Sequence, residues 1–227
     1  MASFVLIPGA GGVASYWSRV APLIDAAGHK AIAVDLPGDD PRAGLAAYAD
    51  IVVRAMAGRV GAIIVAQSMG GFTAPLVCAR APVQALVFVN AMIPNPGETA
   101  GAWWGATRSE AARRQAAARG GYSGEIDLAT YFLHDVPQEA LADAPPPRDE
   151  AEAAFAEPCR FDRWPEIPIH VVAGRDDRFF PIAFQRRVAR ERLGVEVDEI
   201  AGGHLVALSN PAGLTERLLA YVEPLRR

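Results

Sequence analysis

Residues 62–71 read Ala62-Ile63-Ile64-Val65-Ala66-Gln67-Ser68-Met69-Gly70-Gly71. An apolar, β-branched run passes straight into a serine and then into two glycines. That is the pattern of a buried strand, a sharp turn and a helix start. The turn matches the nucleophile elbow G-x-S-x-G, with Ala66 in place of the first glycine. A serine at the tip of such a corner sits in strained backbone, where only small neighbours avoid a clash. Ala66 and Gly70, two residues to either side of Ser68, are both small. The turn lifts Ser68 Oγ clear of the sheet and aims the backbone N–H of Met69 at the same space. A serine in an ordinary βα loop would show the same short pattern, so the rest of the chain has to decide.

Composition narrows the class. A chain of 227 residues, 51% of them apolar, can bury a large core and suits one α/β domain with an insertion. The 22 basic and 26 acidic residues leave a net charge of −4. No basic stripe is present, which argues against a nucleic-acid partner. Cys78 and Cys159 form neither a disulfide framework nor a metal-ligand spacing, so a reducing compartment is expected. The apolar run Phe4–Ile7 is too short for a signal peptide or a membrane span. The expectation is a soluble, cytoplasmic protein with no membrane partner. No internal repeat is evident.

Outward from the elbow, strands alternate with helices. Strands are expected at Ser3–Ile7, Lys30–Val34, Ala62–Gln67 and Ala85–Val89. Helices are expected at Tyr16–Ala27, Gly44–Ala57 and from Met69 to about Arg80, the last carrying Pro75 as a kink. In the first of these, Trp17, Val20, Leu23 and Ile24 share a face and Gly28 is the stop. The strands are apolar on both faces, as in a parallel sheet covered by helices on each side. Ligands of such sheets bind beyond the carboxyl ends of the strands, where Ser68 stands. The loop Pro8-Gly9-Ala10-Gly11-Gly12 follows the first strand. Its glycine spacing, with no Lys-Ser/Thr pair after it, disfavours a phosphate cradle. A backbone loop that offers an N–H to an oxyanion is the competing reading.

From Asn90 to about Pro165 the alternation breaks. The stretch holds Trp103-Trp104, an Ala/Arg segment, Tyr131-Phe132-Leu133 and Pro145-Pro146-Pro147. It is too long for a plain loop. It reads as a helical lid at 91–165, inserted into a core made of 1–90 and 166–227. Trp103, Trp104, Phe132 and His134 are candidates to line a substrate pocket, with Phe155 nearby in the lid. Packing of the lid on the body is the equal alternative for each, and the adjacent tryptophans cannot both face the same way. Arg108, Arg113 and Arg114 read as a solvated face more readily than as an anion site. Strands then resume at Ile167–Ala173 and Val195–Ile200, around a helix at Ile182–Leu193. A final helix has Asn210 as its N-cap and Pro211 at its first position.

A serine nucleophile needs a base, and the base needs an orienting carboxylate. Four histidines compete. His29 lies at the wrong end of the sheet, His170 is mid-strand, and His134 is in the lid. His204 follows the last strand at its carboxyl end, after two glycines. The loop after the penultimate strand offers Asp176 and Asp177 at the same edge, and Asp35 falls out of order. Serine, acid, histidine is the order of α/β-hydrolases, and Ser68, Asp177, His204 obeys it.

Taken together, these features resemble the α/β-hydrolase superfamily over essentially the whole chain. The segments that carry the resemblance are the LIPGAGG loop with Trp17 after it, VDLPG, VAQSMGG, GRDDRFFP and GGHLVALSNP. The likeness is greatest to the small esterase and hydroxynitrile lyase branch, which includes plant methylesterases and pyrethroid-type bacterial esterases. It implies Asp177, three residues after Gly174 and four before Pro181, as the acid, with Asp176 as the alternative. It also implies Ala10 and Met69 as the backbone oxyanion donors. Three departures stand out. The first loop begins Pro8-Gly9 where the family usually has His-Gly. Gln67 precedes the serine in place of His or Gly. The usual antiparallel strands before the glycine-rich loop are absent, which implies about six strands, mostly or all parallel, with helices on both faces.

The implied activity is cleavage of a small to medium, partly apolar carboxylic ester through an acyl-enzyme. The substrate would be a small molecule, and no metal or organic cofactor would be needed. A thioesterase or a carbon–carbon bond hydrolase would use the same triad. A cyanohydrin lyase typically employs a lid lysine, whereas the only lysine of this chain is Lys30. A small-ligand receptor on the same fold is the non-enzymatic alternative.

Overall fold

The computed structural model describes residues 1–142 and 146–222. Six strands form one parallel sheet: β1 (Ser3–Ile7), β2 (Lys30–Ala33), β3 (Ala62–Gln67), β4 (Val83–Val89), β5 (Ile169–Gly174) and β6 (Val197–Ile200). Their spatial order is β2-β1-β3-β4-β5-β6. Side chains of a strand alternate between faces, and here both faces are apolar. Val5, Ile7, Ile64, Ala66, Leu86 and Phe88 pack on one side. Phe4, Leu6, Ile63, Val65, Val87 and Val89 pack on the other. Every residue of β3 is consequently buried.

The first face is covered by α2 (Leu45–Met56), α3 (Gly70–Cys78) and α8 (Ile182–Leu193). The second is covered by α1 (Ala21–Ala26), the short α9 (Val206–Ser209) and α10 (Pro211–Ala220). Asn210 caps α10 as its sequence position suggests, accepting the Gly213 N–H at 3.1 Å. Helix α3 carries Pro75 inside it and still continues to Cys78.

The helix expected over Tyr16–Ala27 is instead two pieces. A short 3₁₀ turn covers Ala14–Trp17, and α1 starts only at Ala21. Pro22 is the physical reason. It has no N–H to give to a carbonyl four residues back, and its ring would clash there, so it is accommodated only in the first turn of a new helix. With the register broken, Leu23 turns outward and is 39% exposed.

Strands β1 and β3 are neighbours, yet the chain leaves them in opposite directions, β1 toward β2 and β3 toward β4. That reversal opens a crevice at their carboxyl ends. The Pro8–Gly12 loop and Ser68 are the two chain segments that leave the sheet there.

Between β4 and β5 lie α4 (Ala100–Thr107), α5 (Ser109–Gly120), α6 (Leu128–Tyr131) and α7 (Glu152–Ala156), with a 3₁₀ turn at Gln138–Ala140. Of the Pro145-Pro146-Pro147 run, Pro145 lies outside the described residues. The segment is fastened to the body by a nearly buried ion pair between Arg192 and Glu98. Trp103 adds a second fastening by packing on Phe180 and Phe184 of the body, while its indole N–H is donated within the segment to the Ile93 carbonyl at 3.0 Å. Among the described residues, no helix is long and apolar enough to cross a membrane.

Candidate active site

Ser68 occupies the corner between β3 and α3 with a φ of +48°. A non-glycine residue enters that left-handed region at a cost of order 1–3 kcal/mol. Glycines make the corner possible. A Cβ on Gly70 would collide with the Pro8 carbonyl, one on Gly71 with the Met92 carbonyl, and one on Gly9 with the Gln67 side chain. The corner is held from below, where the Ser68 carbonyl accepts N–H groups from Gly71 at 3.1 Å and Met92 at 2.9 Å.

His204 comes to this corner from the loop after β6. Its Nε2 lies 3.1 Å from Ser68 Oγ, and its Nδ1 lies 2.9 Å from Asp177 Oδ2. Both His204 and Asp177 are buried, at 1% and 4% exposure. Asp177 Oδ1 accepts the N–H groups of Phe179 and Phe180, each at 2.8 Å. Its Oδ2 also receives Gln185 Nε2 at 3.3 Å. These bonds leave the carboxylate one orientation, facing the imidazole. Asp176 turns away and accepts the Gly202 N–H at 3.1 Å. The rings of Phe132, Phe179 and Phe180 stand edge-on to His204, with centroids 5.0–5.3 Å away. With Nδ1–H donated to Asp177, the Nε2 lone pair faces the serine hydroxyl; this tautomer follows from the bonding pattern.

Met69 follows Ser68 in the chain, and Ala10 lines the same cavity as Ser68. Neither backbone N–H donates to another described residue. Two unspent donors beside a nucleophile are what a developing oxyanion requires. Among the described residues, no group of three or more His, Cys, Asp or Glu side chains is placed to hold a metal ion.

A cavity of about 740 Å³ opens over Ser68 and His204. Its walls include Tyr16, Arg19, Phe132, Leu133, Leu205 and Leu208. Of the four aromatic and histidine candidates between β4 and β5, only Phe132 is in this wall. Trp103 is fully buried against Phe180 and Phe184, where it fastens α4 to α8. Trp104 packs on Phe179 and Phe180 behind His204. His134 lines a separate concavity with Asp135, Arg175 and Arg178. Phe155 packs against the main core. An apolar residue in a helical insertion serves packing or pocket equally well, and sequence spacing does not separate the two.

Several residues that the sequence left without a role converge here. Asn90, at the end of β4, is fully buried with a φ of +46°. Its amide donates to the carbonyls of Gly203 at 2.9 Å and His204 at 3.0 Å, and its Oδ1 accepts the Gly174 N–H at 2.7 Å. Gln67 adds a longer bond to the His204 carbonyl, at 3.4 Å. Asp135 accepts the Gly203 N–H at 2.5 Å. Its other oxygen lies 3.9 Å from His134 Nε2, and neither atom has a hydrogen-bond partner. The tyrosine hydroxyl of Tyr16 is pushed up in pKa, first by burial and then by Asp177 and Asp135, so it stays a neutral hydroxyl in the cavity wall. The available signal for Asn90 was its position, an amide side chain at a strand's carboxyl end.

Known proteins bear out this architecture. A model of the alpha/beta hydrolase family matches residues 4–217. No curated protein matches the chain. Among solved structures, a pyrethroid hydrolase from Sphingobium faniae is similar with a TM-score of 0.77 at 21% identity, covering 98% of this chain and 97% of its own. Polyneuridine aldehyde esterase is similar with a TM-score of 0.77 at 20% identity, covering 98% and 99%. A methylesterase from Arabidopsis gives 0.77 at 18% identity, again covering 98% and 99%. At such identities the likeness is one of fold.

Proposed function

The chain belongs to the α/β-hydrolase family, and we propose that it is a serine hydrolase that cleaves small to medium, partly apolar carboxylic esters through an acyl-enzyme. The observation that carries this reading is the unbroken line from Asp177 through His204 to Ser68 at the floor of the cavity. The similar solved structures named as an esterase, a methylesterase and a pyrethroid hydrolase support the same reaction class.

In this reading, His204 Nε2 takes the Ser68 proton as Oγ attacks the ester carbonyl. Asp177 orients the imidazole and stabilises the imidazolium. The N–H groups of Ala10 and Met69 hold the oxyanion, each contributing roughly 3–4 kcal/mol by the cost of deleting such a donor elsewhere. The tetrahedral intermediate collapses, the leaving alkoxide takes the proton from His204, and an acyl-Ser68 ester remains. Water then attacks that ester with His204 again as base. The carboxylic acid departs and Ser68 regains its proton.

The cavity wall supports a partly apolar ligand. Leu128, Phe132, Leu133, Leu141, Leu205 and Leu208 supply the apolar surface, while Tyr16 and Arg19 supply convergent polar groups. The segment at 91–165 acts as a lid in this scheme, contributing Phe132 and its neighbours to the wall. Two free thiols, Cys78 and Cys159, support a reducing cytoplasmic setting.

Active-site labelling tests the reading. A fluorophosphonate is expected to modify the wild type at Ser68 and to leave Ser68→Ala unlabelled. A wild type that resists the reagent, or one labelled at another serine, overturns the proposal.

A further inference from the structure

The loop that carries Ala10 has few anchors of its own. Pro8 has no N–H, and Gly9, Ala10, Gly11 and Gly12 have no side chain that can hydrogen-bond. The loop is a four-residue turn in which the Gly12 N–H returns to the Gly9 carbonyl at 3.1 Å. Gly11, at the third position, has a φ of +81°, the type II value. Type I and type II turns differ by a flip of the central peptide, here the one joining Ala10 to Gly11. Glycine permits both. Something must therefore choose.

Glu150 makes the choice. Its Oε2 accepts the Gly11 N–H at 2.6 Å, and its Oε1 accepts the Tyr48 hydroxyl at 2.5 Å. Tyr48 is buried on α2, a rigid helix of the body. The carboxylate thus links a fixed point of the core to the one amide whose direction defines the turn. Its surroundings close the clamp. A Cβ on Gly11 would collide with the Arg148 carbonyl, and the Ala151 N–H donates to the Gly38 carbonyl at 2.7 Å. Segment 148–151 therefore lies directly against the loop, with 36–38 behind it.

We propose that Glu150, held by Tyr48, is a positioning residue that pins the turn at Gly9–Gly12 against the body. A central-peptide flip alone changes Ala10 ψ and Gly11 φ and leaves the Ala10 N–H direction as it was, so it is the loop's position, fixed through Gly11, that holds the Ala10 N–H at the reacting carbonyl oxygen. The proposal rests on the serine hydrolase reading of Ser68 and His204. It also assigns a role to the segment between α7 and the cavity wall: that part of the insertion completes the oxyanion site rather than only covering it. A flipped central peptide would turn the Ala10 carbonyl toward the Glu150 carboxylate, which the charge forbids.

Transition-state affinity separates this role from a merely structural one. An alkyl trifluoromethyl ketone forms a hemiketal with Ser68 whose oxygen is an oxyanion, so its inhibition constant reads the oxyanion site directly. Glu150→Ala and Tyr48→Phe are expected to weaken that constant and lower kcat in parallel, by about 10- to 100-fold for a misplaced group. KM for a nitrophenyl ester should change less than about 3-fold, because ground-state contacts are untouched. Glu150→Gln keeps an acceptor for Gly11 and is expected to retain most of the wild-type kcat. Tyr48→Phe preserves the buried ring, so it stays informative if Glu150→Ala fails to fold. Inhibition constants and kcat within about 2-fold of wild type in both variants overturn the positioning role, as does a rise in KM at constant kcat. A wild type with neither turnover nor fluorophosphonate labelling at Ser68 overturns the hydrolase reading, and the positioning role with it.

Discussion

The side-chain amide of Asn90 donates to the backbone carbonyl of His204 at 3.0 Å, so the end of β4 holds the loop that carries the imidazole. The same side chain bonds Gly203 and Gly174, which ties the His204 loop to the strand that leads to Asp177. Geometry at the site therefore depends on a residue that touches none of the reacting groups.

Removing that amide strands buried partners. Asn90→Ala leaves the Gly203 and His204 carbonyls and the Gly174 N–H short of a bond, each at a cost of about 1–3 kcal/mol, and Ala also tolerates the +46° φ poorly. Urea denaturation is expected to show a loss of at least about 2 kcal/mol with a fall in kcat. A loss below about 0.5 kcal/mol would show that the loop holds itself.

The two adjacent aspartates should separate sharply. Asp177→Asn removes the partner of His204 Nδ1 and favours the wrong tautomer, which in a comparable triad lowers kcat about 10⁴-fold. Asp176→Asn touches only the Gly202 N–H, and a change within a few-fold is expected. Steady-state kinetics of both variants decide; equal losses would mean that the acid role is shared.

His170 gives the fold a pH dependence away from the site. Its ring stacks on Tyr221 at 3.9 Å, and burial lowers its pKa from 6.5, with Asp198 opposing. The folded state then binds fewer protons than the unfolded state between the lowered pKa and 6.5. Stability falls as pH drops through that window and is fully restored above it. His170→Gln should flatten this slope in urea midpoints between pH 7.5 and 5.5, and an unchanged slope would assign the effect to other groups.

Both cysteines should be silent. Burial pushes the Cys78 and Cys159 thiols up to about 12. At pH 8 only roughly one in ten thousand of each would be thiolate. Iodoacetamide is expected to modify neither in the native protein and both in urea. Rapid native labelling would indicate an opening of α3 or of the segment before β5.

The core of this fold was legible because its signals are local. The run Ala62–Gln67 could be a buried strand on its face, and six such runs with helices between them leave few topologies. That Ser68, Asp177 and His204 come together was legible because position at a strand's carboxyl end and order along the chain are both readable. The break before Pro22 was readable too, since a proline in a helix interior removes a backbone bond and clashes with the preceding turn, yet the apolar spacing around it pointed the other way. What sequence could not give was side-chain partnership across long separations. Trp103 and Phe132 are both aromatic residues of one insertion, and only packing sends the first into the core and the second to the cavity. Asn90, Asp135 and Glu150 act on backbone groups of distant loops, and backbone groups carry no sequence signature.

Hydrolysis of p-nitrophenyl esters of graded acyl length, with Ser68→Ala beside the wild type, shows whether Ser68 is the nucleophile of an esterase. Turnover by the wild type is expected, with an optimum at short to medium acyl chains, together with a fall of at least about 10³-fold in kcat for a folded Ser68→Ala protein. Ser68→Ala turning over at the wild-type rate would exclude that role for Ser68.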